Sequence, residues 1–144
     1  CTLVKTVFCL EDSGNRITVG EGSRLLGAAE LAAIEGTAIQ IGKDCLFSGE
    51  IFFRTGDSHS LLDASGKRIN RSRDIQVADH VWIGRRAAVL KGTKIGQDCV
   101  VGACAVVTGD HSAPGCVLAG SPAKAVRNGI SWNVRRLPME PEIT

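Results

Sequence analysis

Tyrosine is absent from this chain, and aromatic residues make up only 4% of it. Charge of either sign is not in excess: 17 basic residues face 15 acidic ones, for a formal net charge of +2. That balance argues against a nucleic-acid partner or a membrane surface, both of which call for a strong basic bias. No apolar run approaches the roughly 20 residues of a bilayer span. No secretory leader pattern opens the chain, and a start at Cys1 rather than Met points to a trimmed or processed N-terminus. Cysteines are present (Cys1, Cys9, Cys45, Cys99, Cys104, Cys116), but without the CxxC pairing of zinc or redox sites. Free cysteine packs as a small hydrophobe, so a reduced, cytoplasmic setting is expected.

What the chain does have is glycine, 17 of its 144 residues, which suits turn-rich coils better than a helical or sandwich core. It also has a repeat. Read in sixes, Val77 to Lys124 gives VADHVW, IGRRAA, VLKGTK, IGQDCV, VGACAV, VTGDHS, APGCVL and AGSPAK. The first position is Val77, Ile83, Val89, Ile95, Val101, Val107, Ala113 and Ala119, apolar throughout. The fifth is mostly small or aliphatic, as at Val81, Ala87, Thr93, Cys99 and Ala105. Neither the helical period of 3.6 nor the strand period of 2 yields this pattern. A sustained longer period marks a stacked-repeat architecture, in which each coil buries its inward side chains against its neighbours. Glycine at the second position (Gly84, Gly96, Gly102, Gly120) is expected to supply φ > 0 at the corners.

These residues resemble the hexapeptide-repeat acyltransferases. The resemblance implies an all-β fold: a single-stranded left-handed parallel β-helix of hexapeptide repeats, with an extruded loop and a short C-terminal tail or helix. That hand departs from the usual right-handed crossover. One domain is expected over 1–144, with the repeat core at about 19–124, the loop at about 54–74 and the tail at 125–144. At this length a single hydrophobic core is feasible.

Along the chain, residues 1–16 read as an entry strand or an irregular first coil. Sixes begin at Val19 (VGEGSR, LLGAAE, LAAIEG), slip by the residues TAIQ after Gly36, and resume as IGKDCL and FSGEIF. Counting on from Phe53 lands on His59, Ser65 and Arg71, none of which could fill a corner. Arg54 to Asp74 is therefore read as an extruded loop, polar and basic towards its end. Long loops on regular scaffolds commonly carry function. After Lys124 the tail leaves the repeat; Trp132, Val134 and Leu137 are expected to cap the open end, and Pro138 and Pro141 to leave the last residues extended or disordered.

The chemistry is expected in DSHS, at the head of the loop. The family places its general base on a loop histidine upstream of a VWIG motif, here Val81 to Gly84, which points to His59 as catalytic base. A free imidazole, with an ordinary pKa near 6.5, suits removal of a hydroxyl proton at neutral pH. Asp57 is the first candidate to orient the ring, ahead of Asp63. The Gly84 or Arg85 amide is expected to face the oxyanion. His80 occupies an outward position and reads as solvated or at a subunit contact. His111 falls where the repeat wants a buried or corner residue.

The resemblance further implies acetyl-CoA as co-substrate, lying in a groove along the coils. Trp82, Gly84 and Arg85 would lie near the thioester and Ala103 along the pantetheine arm. Thr108 would lie further along, with Lys124 and Arg127 at the phosphates, a role that suits cations. Where relatives often carry Lys after VVT, this chain has Gly109. The combination of DSHS, DASGKRIN and HVWIG most resembles enzymes that acetylate sugars of cell-surface polysaccharides. The implied activity is O-acetyl transfer to a sugar or polysaccharide hydroxyl, in a homotrimer with sites between subunits. No metal is expected: a three-histidine zinc site, as in the carbonic anhydrases of this fold, needs two close histidines, and His59, His80 and His111 are widely spaced. A non-catalytic scaffold that still binds CoA is the alternative.

Overall fold

Short strands wind into successive coils in the computed structural model, which describes residues 1–142. Each complete coil contributes one strand to each of three parallel sheets. The first coil is β1 (Thr2–Leu3), β2 (Thr6–Glu11) and β3 (Arg16–Val19); the second is β4 (Arg24–Leu25), β5 (Ala29–Ile34) and β6 (Ala38–Ile41). The third, β7 (Leu46–Phe47), β8 (Ile51–Arg54) and β9 (Ile75–Val77), carries the long loop between its last two strands. The fourth and fifth are β10 (Trp82–Ile83), β11 (Ala88–Leu90), β12 (Lys94–Ile95), then β13 (Val100–Val101), β14 (Val106–Val107), β15 (Asp110–His111). The described residues contain no helix, and the fold is the expected left-handed β-helix. Coiling starts at Thr2, ahead of the first legible hexad at Val19.

Inward side chains stack in register. In the first sheet Leu25, Phe47, Ile83, Val101 and Leu118 follow one another, and in the second Leu31, Phe53, Val89 and Val107. All of these are fully buried or nearly so, each contributing roughly 1.5–3 kcal/mol by burial. Phe47 and Phe53 stack at 5.4 Å between ring centroids. The fifth hexad positions, Val81, Ala87, Thr93, Cys99 and Ala105, are buried as expected.

The corners correct one expectation. Positive φ falls on the fourth hexad position, at His80, Arg86, Gly92, Asp98 and Cys104; of the second-position glycines only Gly120, at φ 98°, is in that region, and Gly84, Gly96 and Gly102 are not. Gly84 and Gly96 answer a different need. A Cβ on Gly84 would sit 2.8 Å from the Ala103 amide nitrogen, and one on Gly96 2.5 Å from the Ser112 carbonyl oxygen. At these two positions the next coil's backbone passes too close for a side chain, whereas a Cβ on Gly102 would stand 3.4 Å from its nearest neighbour, the Ala119 Cβ.

The repeat frame also ends sooner than alanine suggested. His111 pairs with Ile95 and Leu118 with Val101, so Ala113 and Ala119 are not inward corner residues, and Ala113 is exposed. The chain then doubles back: β16 (Val117–Gly120) pairs antiparallel with β17 (Ala123–Arg127). That hairpin finishes the C-terminal end. Trp132 instead runs along the flank onto His80, while Val134 and Leu137 stay about half exposed. Residues 128–142 carry neither helix nor strand.

Candidate active site

His59 leaves the solenoid at the corner between the second and third sheets. Its loop is rooted by Thr55, which is fully buried; the Thr55 hydroxyl accepts from the Ile34 amide at 2.8 Å, and the Arg73 amide closes the neck by donating to the Thr55 carbonyl at 2.9 Å. Further out, Leu62 and Arg68 form an antiparallel bridge. On the near side Ser58, in a left-handed conformation at φ 60°, donates to Glu11 at 2.7 Å and accepts from Arg54. His59 itself is exposed, and its ring has no hydrogen-bond partner among the described residues.

The loop is organised by Asn70, a residue that motif reading did not single out. Asn70 is 6% exposed. Its amide nitrogen donates to the His59 carbonyl at 2.7 Å and to the Asp57 carboxylate at 2.9 Å. Its side-chain oxygen accepts from the Leu61 amide at 2.9 Å and from Arg68 Nε at 3.0 Å. One buried amide thereby joins both arms of the loop on either side of His59. A buried polar side chain so fully satisfied is a rigid joint.

Asp57 does not meet the imidazole ring. Its carboxylate is shared between Lys91 and Asn70, and the Lys91 ammonium, then the Asn70 amide, hold its carboxyl below the usual range. Asp63, the second candidate, is occupied in its own turn with Ser65 and Lys67. His80 is not simply solvated: Nδ1 lies 2.7 Å from Asp98 and the ring stacks on Trp132 at 4.1 Å. His111 Nε2 lies 2.8 Å from the Thr108 carbonyl oxygen.

The remaining candidates lie elsewhere on the prism. Trp82 faces outward from the first sheet, 39% exposed, in the register column that continues through Val100 to Val117 and Arg127. Gly84, Arg85 and Ala103 follow at the corner between the first and second sheets. The Gly84 amide is spent on the Val101 carbonyl at 2.8 Å, so of the two amides expected at the oxyanion, only that of Arg85 lacks a backbone acceptor among the described residues. The Arg85 side chain pairs with Glu50 at 3.1 Å. Lys124 and Arg127 sit exposed on the terminal hairpin. Thr108, by contrast, shares the His59 corner, two coils on. A single chain therefore separates His59 from Trp82, Arg85 and Ala103 by one face of the prism.

The family pattern described as bacterial transferase hexapeptide (six repeats) matches residues 74–109. The chain belongs to the hexapeptide-repeat transferases. Within them it is 32% identical over 120 residues to the polysialic acid O-acetyltransferase of Escherichia coli O1:K1 / APEC, covering 83% of this chain and 38% of that protein. To the polysialic acid O-acetyltransferase of Neisseria meningitidis it is 39% identical over 68 residues, covering 46% of this chain and 32% of the other. The crystal structure of the polysialic acid O-acetyltransferase OatWY superposes with a TM-score of 0.81 at 32% identity, covering 92% of this chain and 65% of that one. The chain thus spans about two fifths or less of the length of these two curated relatives.

Proposed function

We propose that this hexapeptide-repeat transferase moves an acetyl group from acetyl-CoA to a hydroxyl of a sugar or cell-surface polysaccharide, with His59 as general base. The observation that carries this reading is the exposed, unpartnered His59 ring on a backbone clamped from both sides by Asn70 and Ser58. A base must be fixed in place yet keep a nitrogen available for the proton it takes. Relatives that carry out O-acetyl transfer on a sugar polymer support the acceptor class.

In the proposed reaction His59 takes the acceptor's hydroxyl proton as that oxygen attacks the thioester carbonyl. The C–S bond breaks, and the CoA sulfur leaves with the proton returned by the imidazolium. The Arg85 amide is the donor proposed for the developing oxyanion. Trp82, Gly84 and Ala103 would line the pantetheine arm, with Thr108 further along. Lys124 and Arg127 would meet the phosphates as cations. Asp57, held by Lys91, would act on the loop rather than on the ring.

Because His59 and Trp82 lie on different faces of one chain, the arrangement supports a homotrimer whose sites take His59 from one subunit and the donor groove from the next. Six free cysteines, three of them buried, support a reducing, cytoplasmic setting. No helix among the described residues is long and apolar enough to cross a membrane. Incubating the chain with acetyl-CoA and a panel of neutral, amino and acidic sugars, read as free thiol release, tests the proposal. Acceptor-dependent release is the expected result. Binding of CoA without release on any acceptor would favour the non-catalytic scaffold.

A further inference from the structure

The two tryptophans of this chain meet across the outer face of the first sheet, one from the solenoid and one from the tail. Trp82 stands outward between Leu46 and Val100, its register neighbours. A side chain there can swing along the strand in either direction, towards the corner at His80 or towards the corner at Arg85, where the donor groove is proposed. Trp132 fills the His80 side. Its ring centroid lies 6.1 Å from that of Trp82 at 47°, a tilted contact within the range that aromatic pairs favour.

Trp132 is held in its turn. The His80 imidazole stacks on it at 4.1 Å and 7°, and the indole N–H donates to the His80 carbonyl at 2.8 Å. His80 is fixed from behind: its amide donates to the Lys43 carbonyl at 2.8 Å, and Nδ1 lies 2.7 Å from Asp98 Oδ1, where an Nδ1–H donates to the carboxylate. Upstream, the tail is pinned along the same edge of the prism. The Ile130 amide donates to the Gly115 carbonyl at 2.9 Å, and Asn128 Oδ1 accepts from the Cys116 thiol at 3.3 Å. Downstream, Val134 joins His80 and Trp132 around a cavity of about 410 Å³ that reaches back to Gly22 and Arg24. The tail is thus a strap laid across several coils, and its one aromatic side chain meets Trp82. Ordering irregular backbone costs conformational entropy, and these contacts are what offset it at Trp132.

We propose that Trp132 is a positioning residue for the donor site. Backed by His80 and Asp98, it closes the His80 side to the Trp82 ring and keeps that ring beside the groove proposed for the pantetheine arm and thioester. Trp132 does not touch the donor; it acts through Trp82. The donor role rests on the acetyl-transfer reading, whereas the packing of the two rings does not.

Because the chain has only two tryptophans, Trp132→Phe and Trp132→Ala each leave Trp82 as the sole one. Fluorescence anisotropy decay and iodide quenching then report on that ring alone. Trp132→Phe keeps a ring between His80 and Trp82 and should leave Trp82 immobile. Trp132→Ala should add a fast local motion and stronger quenching by iodide. With acetyl-CoA and a sugar acceptor, folded Trp132→Ala should raise the KM for acetyl-CoA roughly five- to tenfold, the usual worth of an aromatic contact, with kcat within about threefold of the parent. Trp132→Phe should restore the parent KM. His80→Ala, which removes the backing, should shift KM in the same direction as Trp132→Ala and leave kcat within a few-fold. Equal mobility of Trp82 in the two Trp132 variants overturns the proposal. So does an unchanged KM in folded Trp132→Ala, which would make the strap a staple of the fold alone. Acetyl-CoA binding to none of the forms would count against the acetyl-transfer reading and any donor role for the pair, while the mobility difference would still establish the ring contact.

Discussion

Asn70 holds the His59 carbonyl at 2.7 Å with the same amide group that reaches Asp57 at 2.9 Å. The position of the proposed base is therefore set by a buried side chain eleven residues away in sequence. Asn70→Ala should cost about 1–3 kcal/mol of stability, since buried partners lose their hydrogen bonds. It should also lower turnover while leaving acetyl-CoA affinity unchanged. In a double-mutant cycle, adding Asn70→Ala to His59→Ala should lower turnover no further. An additive loss would mean that Asn70 serves the fold alone.

Asp57 gives a pH dependence with a definite sign. Lys91 first, then Asn70, hold its carboxyl below the usual carboxylate range. A carboxylate lowered on folding contributes stability that is fully present above its unfolded pKa and is lost as pH falls through the lower folded value. The loop should therefore keep its order through mildly acid solution and loosen only below about pH 4. Amide exchange at Leu61 and Ile69, followed against pH, checks this. Asp57→Asn should loosen the loop at neutral pH and shrink the acid transition to the part that Glu35 and Asp63, also held low, contribute.

Glycine substitutions should separate close approach from backbone conformation. Gly84 faces the Ala103 nitrogen at a would-be 2.8 Å from a Cβ, whereas Gly109, at φ 81°, faces open space. Gly84→Ala forces two coils apart and should lose about 1–3 kcal/mol. Gly109→Ala meets only the left-handed penalty, about 1–2 kcal/mol. Melting each variant tests the difference: Gly84→Ala should also weaken protection of the Val101 and Ala103 amides, and Gly109→Ala should leave them intact.

The division of site residues between two faces predicts complementation. His59→Ala and Trp82→Ala chains, each nearly inactive alone, should recover activity when unfolded and refolded together. Mixed assemblies would then contain sites with His59 from one chain and Trp82 from another. No recovery at any mixing ratio would place the whole site within one chain.

Much of this architecture is legible in the sequence because each coil repeats one packing problem. From Val77 to Val107 the inward residues fall where counting by six puts them, and the break after Phe53 locates the loop. Counting fails at Ala113 and Ala119 because alanine passes an apolar test anywhere, while backbone pairing brings His111 beside Ile95. It also misassigns the glycines, since one residue type answers both a positive φ and a close backbone approach. His59 enters as a candidate through its motif, and the structure places it exposed on the loop. Asn70 is not legible, because its role exists only once the loop has folded back and brought Asp57, His59, Leu61 and Arg68 around one amide. Trp132 is misplaced for a related reason: a tail aromatic seeks apolar cover, and the stacked face of His80 is the cover it finds.

The central claim is that His59 is the base. Turnover of His59→Ala with acetyl-CoA and a sugar acceptor, measured on folded protein alongside acetyl-CoA affinity, tests it most directly. The account predicts a loss of roughly 10²–10⁴-fold with donor affinity unchanged, while His80→Ala stays within a few-fold of the parent. A folded His59→Ala protein that transfers acetyl groups at nearly the original rate would contradict it.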